Sequence, residues 1–354
     1  MPTYKTPDVY IEEIPVFPPS VAEVGTAIPA FVGYTEKATK KGNDLTLKPT
    51  KLYSLAEYEE LFGGPHPEQI NVALATDASA PNGLKVTYSV GAGATLPAYL
   101  LYWAVKMYYD NGGAQCYVVS VGDYGDAIAK GDDDTGLQGG LVQVGLQDEP
   151  TLLVVPEATR LAFADYQSVA QAMLAQCGKL KDRFAILDVW GGETKLGDDV
   201  DIGNNTDKEV VLANRDAWAT NLKYGAAYYP FLKTAINHHV ALDANGVVTN
   251  FKVTLPGAQA AVDLSSIEAT NTKEFNVAKA AVNDHFLTLP PSGAVAGVYA
   301  AVDGARGVWK APANVALASV LEPVVRIDNL LQEGLNVDPT TGKSINAIRA
   351  FSGK

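Results

Sequence analysis

The sequence predicts an α/β protein of several subdomains, with a mixed, partly parallel sheet flanked by helices, an extended N-terminal arm and an inserted β-rich region. Three observations carry that prediction. From Thr151 onward, continuous apolar runs alternate with helical patterns. Residues 1–20 hold five prolines around the alternating stretch VYIEEI. Residues 235–283 change to short alternating segments around a turn. At 354 residues the chain exceeds the usual single domain, and its 47% apolar and 19% charged content is that of a globular protein with a substantial core.

Taken in order, the prolines at positions 2, 7, 15, 18 and 19 block helix, so Met1 to Ser20 reads as an extended arm whose backbone edges can join another sheet. AIPAFVGYTEKA (27–38) reads as a buried strand running into a loop. In TKLYSLAEYEELFGG (50–64), Ser54 is placed as an N-cap, Glu57 as its capping-box partner and Gly63-Gly64 as the stop. Tyr99 to Tyr109 has helical spacing, Asn111-Gly112-Gly113 ends that helix, and CYVVSV follows as a buried strand. The Gly- and Asp-rich stretch from Gly122 to Leu141 reads as a surface loop with a short helix. TLLVVP, a helix ending at Gly178, and RFAILDVW then form a βαβ unit. Asp207 to Lys223 reads as a helix whose charges match its dipole, and YGAAYYPFLK as a third core strand broken at Pro230. A hairpin-like insertion turns at Asp243 to Gly246. HFLTLPPSGAVAGVYAAVDGARG reads as a strand, a turn and a helix of small residues able to approach its neighbour closely. NVALASVLEPVVRI reads as an apolar strand, and NVDPTTGKSINAIRAFSGK closes the chain.

Net charge of −13 argues against a phosphate-tracking surface, so no nucleic-acid partner is expected. No basic stretch followed by an apolar one marks the N-terminus, and no apolar run approaches the ~20 residues of a membrane helix. Synthesis in the cytoplasm without membrane insertion is the expectation. Cys116 and Cys177 lie in apolar segments and read as buried free thiols. His238 and His239 are adjacent on an expected strand, so their side chains point to opposite faces and cannot hold one ion together. The acidic stretches 131–136 and 196–209 lack EF-hand spacing and read as solvated loops. There is no G-x-S-x-G elbow, and DPTTGKS (338–344) lacks the first glycine of a phosphate-binding loop. Glu157 and Asp188 stand at strand ends, where α/β enzymes keep their active sites; a cytoplasmic α/β hydrolase using one of them is the alternative function.

Three blocks, YKTPDVYIEEIPVFPPSVAEVGTAIPAFVGYTEKA, YWAVKMYYDNGGAQCYVVSVG and above all PPSGAVAGVYAAVDGARGVWKAPANVAL, resemble the sheath proteins of contractile phage tails and extracellular contractile injection systems. The resemblance implies a sheath-type fold and a mechanical, non-enzymatic role. Such subunits stack around an inner tube, add strands to one another's sheets, and contract to drive the tube through a target envelope. It implies an inter-subunit arm at Tyr4, Val9, Tyr10, Ile11 and Ile14, a hinge at Pro15, Pro18 and Pro19, and an inner-domain joint at Arg306, Trp309, Lys310 and Pro312. Trp309 would anchor the joint, with Arg306 and Lys310 pairing acidic groups of a neighbour; as an internal turn instead, Trp309 would cap the core.

The expected organisation is an arm over 1–20, an N-terminal subdomain over 21–97, an α/β subdomain over 98–304 with its insertion near 235–283, and the start of an inner domain over 305–354. Sheath proteins would be expected to run on past INAIRAFSGK, so Lys354 marks either a truncation or a short paralogue. Implied partners are other copies of the chain, an inner tube protein, sheath paralogues, and baseplate and terminator proteins, with no cofactor and no metal. The assembled particle would be a phage tail or a phage-tail-like device released outside the cell. A tail-tube or baseplate component fits less well, because tube subunits are small β proteins.

Overall fold

The computed structural model describes residues 25–80, 82–90, 97–200 and 208–351. The expected arm and hinge residues, Tyr4 to Pro19, lie outside the described residues. Buried residues throughout Pro29–Thr35 form β1. An exposed ribbon of β2 (Thr39–Lys40) and β3 (Asn43–Asp44) follows, then β4 (Thr50–Leu52) and α1 (Leu55–Phe62). Ser54 caps α1 as expected, its Oγ accepting from the Glu57 N–H at 3.2 Å, while Glu57 Oε2 accepts from the Tyr53 N–H at 2.7 Å. A hairpin of β5 (Ile70–Thr76) and β6 (Leu84–Val90) precedes α2 (Leu101–Asp110), β7 (Cys116–Asp123) and α3 (Gly136–Val144). The βαβ unit is β8 (Leu152–Val154), α4 (Phe163–Leu180) and β9 (Phe184–Asp188). After a short ribbon of β10 (Asp199–Val200) and β11 (Lys208–Glu209) come α5 (Val210–Ala217), β12 (Gly225–Tyr229) and β13 (Leu232–Asn237). The chain continues through β14 (Phe251–Thr254), β15 (Val262–Asp263), α6 (Thr272–Asp284), β16 (Phe286–Leu289) and α7 (Ser292–Arg306). It then passes through β17 (Val320–Pro323), α8 (Asn329–Asn336) and β18 (Asn346–Ala347).

The body is a seven-stranded sheet in the order β18-β12-β9-β8-β1-β7-β4, parallel except for β4. Its strands are apolar on both faces because helices cover both. Alternate residues divide between the two layers. Ala30, Val32, Val119, Ala185 and Leu187 face α3, α4 and α5, whereas Phe31, Val118 and Ile186 face α1, α2 and α7. A small antiparallel sheet, β16-β13-β17, adjoins the second layer.

A separate core forms under a four-stranded sheet in the order β15-β14-β5-β6, where Ile70, Val72, Leu74, Phe251 and Val253 pack with Phe275 and Ala278 of α6. Strand β14 pairs with β5 in parallel, Phe251 against Ile70 through Thr254 against Ala73. The inserted β-rich region therefore completes its sheet with a hairpin from much earlier in the chain.

Three elements differ from the sequence reading. The helix expected on the surface within 122–141 is α3, whose Leu137, Leu141 and Val144 are buried in the body core; their helical spacing was present beneath the polar Gly-Asp composition. The helix expected over 207–223 is only α5, because Trp218 turns extended to reach the core, where its Nε1 donates to the Tyr166 hydroxyl at 3.2 Å. The expected strand from Asn314 to Ile327 is only β17, and α8 follows it, capped by Asp328 accepting from the Leu331 N–H at 2.8 Å.

Helix α7 packs on α2 at close range, as its small residues predict. A Cβ at Gly293 would collide with the Ala104 backbone; at Gly297 it would lie 2.5 Å from the Tyr108 carbonyl oxygen and 2.8 Å from Asn111 Cβ. Both contacts include backbone, which cannot swing aside. Gly297→Val is expected to lower stability by about 1–3 kcal/mol through overpacking, read as a fall in the urea midpoint. An unchanged midpoint would mean that the two helices are not held this close.

Candidate functional site

Two buried carboxylates at the ends of adjacent strands were the residues most open to a catalytic reading. Glu157 begins the turn after β8 and is fully buried; its Oε1 accepts from the Leu100 and Leu101 N–H groups at 3.0 and 2.7 Å, at the start of α2. Asp188 ends β9 and accepts from the Ser292 N–H at 2.8 Å and the Ser292 hydroxyl at 2.5 Å, at the start of α7. Each carboxylate thus satisfies donors that a helix N-terminus leaves without intrahelical partners. Burial pushes both carboxyls up to about 7, and the bonds from Leu101 and Leu100 to Glu157, and from Ser292 to Asp188, pull the other way. The space beside Asp188, lined by Val155, Thr159 and Tyr166, is about 10 Å³, which is no larger than a single water needs. This arrangement holds helices and does not offer either carboxylate to a substrate.

The segment after α7 is the opposite case. Gly307 ends the helix at φ 89°, its N–H bonding to the Asp303 carbonyl at 2.9 Å, and the Lys310 N–H bonds to the Gly307 carbonyl at 3.1 Å. The Trp309 ring lies over Gly307 where any Cβ would collide with it, so the turn requires glycine for both its φ and its cover. Trp309 is 83% exposed and Val308 63% exposed. The reading in which Trp309 caps the core is therefore not what the structure shows. Arg306 and Lys310 are exposed beside it, and Pro312 is half-buried.

The far end of this segment is fastened to α2. The Ala318 N–H donates to Asn111 Oδ1 at 2.7 Å, and the Ser319 hydroxyl to Asp110 Oδ2 at 2.8 Å. An apolar, cationic loop is thereby presented to solvent between two anchored ends. Sequence reading identified the loop but missed Asn111 as its anchor, because a contact across 207 positions leaves no local signal.

The remaining candidates resolve simply. Asp338 accepts from the Thr340 and Thr341 N–H groups, both at 3.1 Å, which makes DPTTGKS a capped polar turn. Both cysteines are free and buried. No group of three or more His, Cys, Asp or Glu residues stands ready to hold a metal among the described residues, and no helix there is long and apolar enough to cross a membrane.

The mixed α/β architecture matches that of solved sheath structures. Among solved structures, the chain is similar to the helical sheath of the anti-feeding prophage in its contracted state (TM-score 0.52, 25% identity, covering 99% of this chain and 66% of that one). It is similar also to the contracted sheath complex of the extracellular contractile injection system PVC (TM-score 0.51, 23% identity, 100% and 65% covered). A third likeness is to the contracted baseplate of the anti-feeding prophage (TM-score 0.53, 21% identity, 99% and 67% covered). The chain spans about two thirds of the length of the chains it matches. These likenesses support a relationship to contractile sheath proteins. No sequence-family model matches the chain, and comparison with curated proteins returns no match.

Asp188→Ala is expected to cost about 1–3 kcal/mol by leaving the Ser292 N–H buried without an acceptor. Asp188→Asn tests the titration. Because the native carboxyl is raised from its ordinary value to about 7, its stabilising contribution is complete below the unfolded value and is lost as pH rises through about 7. Urea midpoints of wild type minus Asp188→Asn should therefore fall between pH 4.5 and 8. A difference that grows with pH would mean that the helix terminus holds the anion in preference to the acid.

Proposed function

We propose that this chain is a structural sheath subunit of a contractile phage-tail-like injection system, polymerising around an inner tube and contracting to drive that tube through a target envelope. The observation that carries the proposal is a likeness to sheath structures that spans 99–100% of this chain and 65–66% of theirs. The use of Glu157 and Asp188 as helix caps supports a non-enzymatic role over a strand-end hydrolase.

In this proposal residues 1–20 form the arm, with Tyr4, Val9, Tyr10, Ile11 and Ile14 adding a strand to a neighbour and Pro15, Pro18 and Pro19 bending between them and the body. Strand addition supplies backbone hydrogen bonds that survive subunit rotation, provided that the linker bends and the strand does not. Residues 305–354 begin the inner domain, following the 21–97 and 98–304 subdomains. The joint supplies Trp309 as an aromatic anchor, with Arg306 and Lys310 facing acidic groups on another copy or on the tube protein. Synthesis is cytoplasmic, and the particle works outside the cell; baseplate, terminator and paralogous sheath proteins complete its partners.

Negative-stain electron microscopy of the product of the complete native gene, at high concentration, tests the proposal. Hollow striated tubes or stacked rings are expected; uniform small closed particles would overturn it. Deleting residues 1–20 should abolish ordered stacking and leave a folded body, and normal tubes from that variant would remove the arm from its assigned role. Trp309→Ala should change stability by less than about 1 kcal/mol, since the ring is exposed, yet reduce tube formation. Full assembly by that variant would make the joint a mere turn.

A further inference from the structure

The chain has four histidines, and all of them gather where the β-rich subdomain joins the body. His66 precedes β5, His238 and His239 follow β13, and His285 lies between α6 and β16, so each stands where the chain passes between the two cores. Glu68 and Asn250 link them. His66 Nδ1 lies 3.2 Å from Glu68 Oε1 without a hydrogen bond to it, and Asn250 Nδ2 donates to the carbonyls of Glu68 and His239 at 3.1 and 2.7 Å.

At the centre of the junction, His238 Nε2 lies 2.8 Å from His285 Nδ1, with the rings stacked at 5.0 Å. Tyr88 of β6 covers His285 at a ring distance of 4.3 Å, and its hydroxyl donates to the Ala281 carbonyl of α6. His238 is buried, and its Nδ1 has no partner among the described residues. We propose that this histidine cluster is an acid-responsive hinge, holding the β-rich subdomain against the body while the His238–His285 pair shares a proton and releasing it once both rings are charged.

The chemistry follows from the contact. A nitrogen–nitrogen hydrogen bond needs a lone pair on one side, which exists only while at least one ring is neutral. Two imidazolium rings would turn two N–H groups toward each other in a buried site. The carboxylates that bear on the cluster are Glu68 near His238, Asp284 beside His285 and Tyr88, and Glu36 near His239. Glu68 favours protonation of His238 and Glu36 that of His239, but burial outweighs them. It lowers His238 to about 4, with His285 adding to the effect, and lowers His239 and His285 as well. Since exposed imidazole titrates near ~6.5, the closed junction is at full strength above that value and weakens as pH falls toward about 4.

Hydrogen exchange on the full chain tests the hinge. The reporters are the Ala98 amide, which bonds to Glu68 Oε1 at 2.8 Å between the body and the segment before β5, and the Ile70 and Thr249 amides, which bond to the Asn250 and Ala241 carbonyls on the β-rich side of the junction, referenced to amides of β1 and β7. After correction for intrinsic exchange, opening at the reporters should rise on the order of a hundredfold from pH 7 to pH 4, with no matching rise in the reference strands. Combining His238→Gln with His285→Gln should hold that rise to within about threefold. No rise in wild type, or an undiminished rise in the folded double variant, would overturn the hinge. Should the double variant fail to fold, imidazole NMR titration of wild type decides. His238 titrating below pH 5 supports the hinge, and ordinary titration of both rings near ~6.5 overturns it.

Discussion

The body depends on two carboxylates fixed at the ends of neighbouring parallel strands. β8 and β9 run side by side, so Glu157 and Asp188 emerge from the same edge of the sheet, and each holds the first amides of a helix on the same face. Neither α2 nor α7 has a side-chain cap of its own, so the strand-end carboxylates supply what the helices lack. Anchored at the same edge, α2 and α7 lie close enough to need glycine at 293 and 297. A position that serves catalysis in many α/β proteins here sets the spacing of two helices.

That spacing reaches the surface. The C-terminal end of α2 provides Asp110 and Asn111, which fasten Ser319 and Ala318, while the end of α7 provides Asp303, which closes the turn at Gly307. The loop carrying Val308 and Trp309 is thereby strung between two helices whose relative position is set about one helix length away, inside the core. An exposed loop built this way stays in register with the sheet beneath it. Through the two helices the loop is tied to the seven hydrogen-bonded strands of the body sheet.

The β-rich subdomain is joined differently. It has its own small core, and its connection to the body runs through polar side chains, with imidazoles and Asn250 where the body uses packed glycine and leucine. An imidazole can change charge near neutral pH, whereas a packed apolar side chain cannot. The body is thus held by packed layers on both faces of its sheet, while imidazoles gather where the β-rich subdomain meets it.

Much of this was legible in the sequence. Ser54 and Glu57 announce α1, the apolar runs after Thr151 announce parallel strands, and the Gly-Ala composition of 292–305 announces a close helix contact, because each is written in residues near one another along the chain. The loop at Trp309 was equally visible through its glycines and proline. Local pattern misjudged α3, where Gly and Asp masked a buried leucine face, and α5, which Trp218 cuts short to reach the core. Only the tertiary structure decided the pairing of β5 with β14, the capping roles of Glu157 and Asp188, the anchoring of the loop by Asn111, and the meeting of His238 with His285. Periodicity records which face of an element is apolar. It carries no record of which distant polar group will satisfy an unpaired amide or imidazole, since that is settled by packing once the chain has closed on itself.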